Sequence, residues 1–185
     1  QRQNLPEIYT YKAGVINSPG FFTVADLQRH LNNPLLQPNW LSVKQDGDRV
    51  EIEKFCFSKS VQHRELKFID KDVINNAIDK GASVVLEGID ILDSGVNEFV
   101  ARVDNSLPCV LSNAEVFFSQ QDNEAYDGHC DADDVLVVQL AGKKTWNLYA
   151  PQQRRYSGIE NLSDEQLGPV TQEFTMRPGD AIYLR

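Results

Sequence analysis

The sequence predicts a mainly β protein, a sandwich or barrel that follows a helical N-terminal portion. Short apolar runs separated by Gly, Pro, Asn and Asp fill the second half of the chain, a pattern typical of such all-β folds. The first half instead carries apolar residues at helical spacing. A chain of 185 residues with 41% hydrophobic content can bury one core. We place a soft boundary near residue 106, between a helical portion with a hairpin (1–106) and a β portion (107–185).

Three helices are predicted in the first portion, each from a cap and an amphipathic pattern. The first covers 23–31 and ends before Pro34. The second begins after Asp70, which suits an N-cap, and ends at Gly81, a residue suited to a left-handed C-terminal position. The third begins near Ser94, where four apolar residues repeat at i, i+3, i+4 and i+7.

The strands are predicted from apolar or alternating runs. In the first portion, a hairpin turns at Asp46-Gly47 between 41–44 and 50–57, and a buried strand covers 82–86. The polar segment 154–168 is interpreted as an excursion between strands. The predicted strands of the β portion are 115–119, 135–140, 145–149, 173–176 and 181–184.

The charge and the cysteines restrict the partners and the compartment. A net charge of −9 repels phosphate backbones, so we expect no direct nucleic-acid binding. The negative charge favours basic partners, although the same charge is also explained if it only keeps the protein soluble. No run approaches the roughly 20 apolar residues of a membrane span, and no signal peptide is recognisable. Three widely spaced cysteines suit a reducing compartment and packing roles, so we expect a cytoplasmic protein.

The segment from Gly128 to Val135 contains a pattern that can bind a metal ion. In an extended chain, alternate side chains share one side, so His129 and Asp131 can converge on one ion while Cys130 points away. An imidazole and a carboxylate, completed by a second histidine, can occupy one face of a six-coordinate iron. Such a triplet also occurs by chance as a surface pair, so the surrounding residues decide its meaning.

Those surrounding residues resemble the JmjC ribosomal oxygenases of the cupin superfamily, whose pattern is roughly HxDxxDVFxxQxxGxxxW. The match extends to a turn with the sequence Pro-Gly-Asp at 178–180 and to Tyr183, and weaker similarity covers parts of the N-terminal portion. The residues in matching register are His129, Asp131, Asp134, Val135, Gln139, Gly142 and Trp146.

The resemblance implies a double-stranded β-helix (a jelly-roll barrel) with the N-terminal helices packed outside it. It places the third iron ligand, a second histidine, about ten residues beyond the Pro-Gly-Asp turn and therefore past Arg185. The C-terminal part of the barrel is then expected to be missing from this chain. We interpret His30 and His63 as ordinary surface or partly buried residues.

The resemblance also implies the cofactor Fe(II) and the co-substrate 2-oxoglutarate. Lys144 matches the basic residue that binds the far carboxylate of 2-oxoglutarate, and its neighbour Lys143 should point the other way. Ser119 keeps a hydroxyl on a strand whose polar groups hold the co-substrate. On that strand Phe117 stands where a tyrosine is usual, and Glu115 where an asparagine is usual. Phe117 is then either a core residue or a lost polar contact.

The reaction implied is hydroxylation of a protein side chain, with an arginine or histidine of a basic ribosomal protein as the expected substrate. Two alternatives stay open: a cupin-like binding protein that lacks catalysis, and a hydroxylase of a peptide natural product or small molecule. A homodimer is also left open.

Overall fold

The computed structural model describes residues 9–16, 20–45, 48–107, 111–120, 126, 128–131, 133–149 and 160–184. Among the residues that the structure describes, more lie in strands than in helices, which confirms the mainly β class. The helices are α1 (Val24–Leu31), α2 (Lys71–Asp79), α3 (Ile89–Leu92), α4 (Ser94–Ser106) and α5 (Asp164–Leu167). The strands are β1 (Tyr9–Lys12), β2 (Leu41–Gln45), β3 (Asp48–Arg49), β4 (Cys56–Val61), β5 (Arg64–Ile69), β6 (Ser83–Leu86), β7 (Val116–Phe118), β8 (His129–Cys130), β9 (Val135–Val138), β10 (Lys144–Tyr149), β11 (Glu160–Asn161), β12 (Val170–Met176) and β13 (Ala181–Leu184).

The chain divides into two compact units. The first comprises 1–23 and 126–185, and the second comprises 24–125. The sequence boundary near residue 106 stays a prediction.

The helices of the second unit follow local sequence signals. Asp70 caps α2, because its carboxylate accepts hydrogen bonds from the backbone N–H groups of Asp72 and Val73. Gly81 follows this helix with φ +95°, the left-handed conformation that glycine adopts at low cost. Asp93 caps α4 in the same way, through the N–H groups of Gly95 and Val96. All three predicted helices are therefore confirmed.

The sheet of the second unit has the strand order β3-β2-β6-β7, and β6 is buried along its whole length. The hairpin of β2 and β3 is confirmed by the pairing of Gln45 with Asp48, while Asp46-Gly47 lies outside the described residues. The strand predicted over 50–57 is not continuous: Val50 still bonds to Val43 of β2, and Cys56 and Phe57 belong to β4. A 3-10 turn over Ile52–Lys54 interrupts it and brings Phe55 into the core.

A second hairpin, which the sequence did not predict, joins β4 to β5. Its turn residues Gln62 and His63 both have positive φ, at 47° and 65°. Two-residue hairpin loops favour this mirror-image turn because it matches the twist of the strands. Neither residue is a glycine, so the turn carries local strain.

The first unit contains the double-stranded ribbon of a cupin-like fold. The chain runs through β9 and β10 and returns through β12 and β13, so that β10 pairs with β12 and β9 pairs with β13. Each pair is antiparallel, and the inner pair is nested within the outer one along the chain. Strand β1 adds to the free side of β13. These nested pairs are the topology expected of a jelly-roll.

The turn that connects β12 to β13 depends on Gly179 and Asp180. Gly179 has φ +94°, and a Cβ atom placed on it would lie 2.7 Å from the carbonyl oxygen of Ile16. The buried Asp180 carboxylate accepts hydrogen bonds from the backbone N–H of Gly14 (2.8 Å) and of Arg177 (2.8 Å). The Pro-Gly-Asp turn therefore joins the ribbon to the segment that follows β1.

No helix within the described ranges is long and apolar enough to cross a membrane.

Candidate functional site

His129 and Asp131 lie side by side in the first unit. The Nε2 atom of His129 is 3.5 Å from Oδ1 of Asp131, and both side chains are partly accessible. The two side chains therefore share one side of the segment, as their spacing predicts. With metal–ligand bonds of roughly 2.0–2.2 Å, two neighbouring ligands of a six-coordinate ion lie roughly 3 Å apart. The donor pair and its spacing suit a first-row metal ion.

The strand that carries His129 is held by the segment 160–167. β11 pairs with β8 so that Asn161 is opposite His129, and the N–H of Leu162 donates to the carbonyl oxygen of Gly128 at 3.0 Å. A Cβ atom on residue 128 would lie 2.5 Å from Cδ1 of the buried Leu167. Glycine at position 128 thus allows Leu167 to pack directly against the backbone before His129.

Segment 160–167 begins its helix with a reciprocal cap. The N–H of Ser163 donates to Oε1 of Gln166 at 2.9 Å, and the N–H of Gln166 donates to the Ser163 hydroxyl at 3.4 Å. This is the capping-box pattern S-x-x-Q, a local signal that could have identified helix α5. Within the predicted excursion 154–168, Glu160–Asn161 form β11 and Asp164–Leu167 form α5, while 154–159 lie outside the described residues.

The imidazole of His129 also contacts an aromatic ring. The ring centroids of Tyr126 and His129 lie 5.4 Å apart at an interplanar angle of 51°, within the range of tilted aromatic pairs. The neighbouring Cys130 is half-buried. Burial raises the pKa of its thiol, and the negative charge of Asp131 raises it further. Since the thiolate is the reactive form, Cys130 is a poor nucleophile at neutral pH.

Lys144 begins strand β10 and is half-buried. The side chains of β10 alternate, so that Lys144 and Trp146 share its less exposed face while Thr145 and Asn147 lie on the exposed face. The cross-strand partner of Lys144 is Met176, which is fully buried. Lys143 is exposed and precedes the strand. The two lysines therefore differ in environment, although Lys143 does not belong to the strand whose alternation was expected to orient it.

Trp146 supplies a buried polar atom to the same face. Its indole N–H has no hydrogen-bond partner among the residues that the structure describes. Leaving a buried donor unpaired costs about 1–3 kcal/mol. Lys144 and the Trp146 indole N–H lie on one strand face, and both are donors that suit an anionic, oxygen-rich ligand.

Ser119 follows β7 in the second unit. Its Oγ lies 2.7 Å from Oγ of the buried Ser83, so part of its hydrogen-bonding capacity is used within that unit. Phe117 is 55% exposed, which shows that its interpretation as a core residue was wrong. The alternation of β7 beside the buried β6 turns this side chain away from the core.

His30 differs from its sequence interpretation. It is only 4% exposed, and its Nε2 lies 3.0 Å from Oδ2 of the buried Asp93. Arg29 donates to the same oxygen at 2.9 Å. The pair joins α1 to the N-terminus of α4, so His30 is a structural residue of the second unit. His63 is exposed in the hairpin turn, as expected.

The third metal ligand that the resemblance implies is not found among the described residues, where no group of three histidine, cysteine or acidic side chains could hold a metal ion. A second histidine beyond Arg185 therefore stays a prediction. In the first unit the structure brings His129 and Asp131 together and places Lys144 on a different strand pair, β10 and β12.

Comparison with known proteins identifies the family. A family model described as the JmjC domain matches residues 93–185, just over half of the chain. The chain is similar to a bifunctional lysine-specific demethylase and histidyl-hydroxylase NO66 of Dictyostelium discoideum, with 23% identity over 78% of this chain and 34% of the relative. It is also similar to ribosomal oxygenase 2 of Bos taurus, with 33% identity over 45% of this chain and 19% of the relative.

The chain thus spans about a third or less of the length of these relatives. Among solved structures, the X-ray structure of E. coli ycfD matches 98% of this chain and 45% of its own, with a TM-score of 0.58 and 13% identity. At that identity the likeness supports the fold alone. The family match and the ribbon topology agree, and the chain belongs to the JmjC domain family.

Proposed function

We propose that the protein is an Fe(II)- and 2-oxoglutarate-dependent oxygenase that hydroxylates a protein side chain. The observation that carries this proposal is the 3.5 Å approach of His129 Nε2 to Asp131 Oδ1, in a chain of the JmjC domain family. A bound Fe(II) would supply the oxidation by O₂, coupled to the decarboxylation of 2-oxoglutarate to succinate. The third ligand is expected to be a histidine beyond Arg185.

The residues of this chain supply binding and orientation. His129 and Asp131 would hold the metal through Nε2 and a carboxylate oxygen. Lys144 would bind the far carboxylate of 2-oxoglutarate, because a buried anion requires a paired cation. The Trp146 N–H, which has no partner within the described part of the chain, adds a donor to the face of β10 that carries Lys144. Ser119 is proposed as a further hydroxyl contact of the co-substrate.

The proposed substrate is an arginine or histidine side chain of a basic ribosomal protein. Two relatives carry the names histidyl-hydroxylase and ribosomal oxygenase, and the net charge of −9 suits a basic partner. The protein is proposed to act in the cytoplasm. The alternatives are a binding protein without catalysis and a hydroxylase of a peptide natural product or small molecule.

A turnover experiment tests the proposal. The full-length protein is incubated with Fe(II), 2-oxoglutarate and O₂, and succinate is measured with and without basic ribosomal proteins, alongside the variant His129→Ala. We expect succinate from the wild type, more of it with the true substrate, and none above background from the variant. Stimulation by a small molecule alone would favour the small-molecule hydroxylase. Equal background succinate from the wild type and His129→Ala would favour the alternative of a binding protein without catalysis.

A further inference from the structure

The residues between the metal-binding pair and strand β9 include a side-chain contact to a distant part of the chain. The hydroxyl of Tyr183 donates to Oδ2 of Asp134 at 2.7 Å. Asp134 lies three residues beyond Asp131, and Tyr183 lies on β13. The distance is that of a short hydrogen bond between a hydroxyl and a carboxylate, a charge-assisted type that is stronger than its neutral counterpart.

The strand register explains why this contact forms. Tyr183 is opposite Leu136 in the pairing of β13 with β9, and Asp134 lies two residues before Leu136. Diagonal neighbours of this kind share one face of a strand pair and are within reach of a long side chain. The contact therefore extends the attachment of the chain to β13 by one residue beyond Val135, towards Asp131.

The two metal-binding residues are held by different means. His129 belongs to β8, which pairs with β11. Asp131 follows β8 and precedes β9 without belonging to either strand. Its position therefore depends on how the chain is fixed on both sides. The pairing of β8 with β11 fixes the chain before Asp131, and the Tyr183–Asp134 hydrogen bond fixes it after Asp131.

We propose that Tyr183 and Asp134 form a positioning pair that holds the Asp131 carboxylate beside His129. This inference rests on the proposed metal site, since it assigns these two residues a role in keeping that site assembled. Neither residue is assigned a contact with the metal. Loss of the hydrogen bond is expected to widen the range of positions of Asp131 and so to weaken metal binding, with little effect on the fold.

The test measures metal and co-substrate affinity separately in the full-length protein. Mn(II) is used as the probe in anaerobic titrations of the wild type, Tyr183→Phe and Asp134→Ala. We expect each variant to bind Mn(II) about three- to tenfold more weakly, because water screens this exposed contact and reduces its contribution to that of an ordinary neutral hydrogen bond. Affinity for 2-oxoglutarate at saturating Mn(II) and the melting temperature should change little.

Two controls separate positioning from a general structural effect. Tyr149→Phe removes a hydroxyl from β10, which pairs with neither β8 nor β9, and should leave Mn(II) affinity unchanged. Asp134→Asn keeps a neutral acceptor oxygen for Tyr183 without the carboxylate charge, so it should recover part of the affinity lost in Asp134→Ala. The double variant Tyr183→Phe/Asp134→Ala should bind Mn(II) no more weakly than the single variant that binds it less well, because both substitutions remove the same interaction.

The outcomes distinguish this inference from the proposed function. If the wild type binds no Mn(II), the metal site itself is wrong, and the positioning pair is rejected with it. If the wild type binds Mn(II) and the Tyr183→Phe and Tyr149→Phe variants match it, the positioning role alone is rejected. A loss of metal affinity that only accompanies a lower melting temperature would likewise overturn the proposal, because it would show a general loss of folding.

Discussion

Replacing Lys144 with methionine tests the co-substrate assignment, because the change removes the ammonium and keeps an unbranched apolar side chain. Lys144 is half-buried at the start of β10, opposite the fully buried Met176. A hydrogen bond between charged groups at such a site contributes about 1.5–3 kcal/mol, which corresponds to roughly ten- to a hundredfold in affinity. We therefore expect Lys144→Met to weaken 2-oxoglutarate binding by at least about tenfold.

The matched control is Lys143→Met, one residue away. Lys143 is exposed, and an exposed ion pair contributes about 0–1 kcal/mol, so its loss should change the affinity less than about fivefold. Both variants are titrated with 2-oxoglutarate under anaerobic conditions in the presence of Fe(II), and Fe(II) affinity is measured separately. Iron affinity should be similar in both. Equal weakening by the two substitutions, or no weakening by Lys144→Met, would show that the co-substrate is bound elsewhere or not at all.

Three further predictions concern stability, each measured by denaturant unfolding. Burial raises the pKa of Asp93, but hydrogen bonds from His30, Val96 N–H, Arg29 and Gly95 N–H lower it more, so that its pKa is below the usual value. Asp93→Asn should therefore lower the free energy of unfolding by about 1–3 kcal/mol at pH 7. The difference between wild type and variant should shrink as pH falls below about 4, because the wild-type carboxylate then becomes protonated. A stability difference that does not change with pH would contradict this. Gly179→Ala should cost about 1–3 kcal/mol through its positive φ and the contact with Ile16, and an unchanged stability would refute the assigned strain. The double variant Gln62→Asn/His63→Gly should instead raise the free energy of unfolding by about 1 kcal/mol, because Asn-Gly suits this turn. A lower stability would show that the native side chains make contacts that outweigh the strain.

The parts of the fold that were predicted from sequence depend on local signals. Asp70 and Gly81 mark the ends of α2 because capping and left-handed termination involve only neighbouring residues. The apolar runs of the β portion similarly indicated β7, β9, β10, β12 and β13.

The parts that were missed depend on contacts between distant residues. Strand β8 is two residues long and forms because Asn161 pairs with His129, which no local pattern indicates. The burial of His30 depends on Asp93, far away in sequence. The alternation over 50–57 suggested a strand, but burial of Phe55 through a turn is the arrangement found. In each of these three features, tertiary packing determined the structure and local propensity did not.

For the candidate site, spacing predicted that His129 and Asp131 share one side, and the structure agrees. The resemblance supplied the role of Lys144, which spacing alone could not. The segment 160–167 and the Tyr183–Asp134 contact were not predicted, because each places a residue near the candidate metal-binding segment through long-range pairing.

The most direct measurement of the proposed metal site is an anaerobic titration of the full-length protein with Fe(II) in the presence of 2-oxoglutarate. Chelation of Fe(II) by a 2-oxo acid produces a visible charge-transfer absorption, which reports the metal and the co-substrate together. We predict that the wild type develops this band at one equivalent of iron and that His129→Ala and Asp131→Ala do not. A band of equal intensity in either variant would show that the metal is bound by other residues.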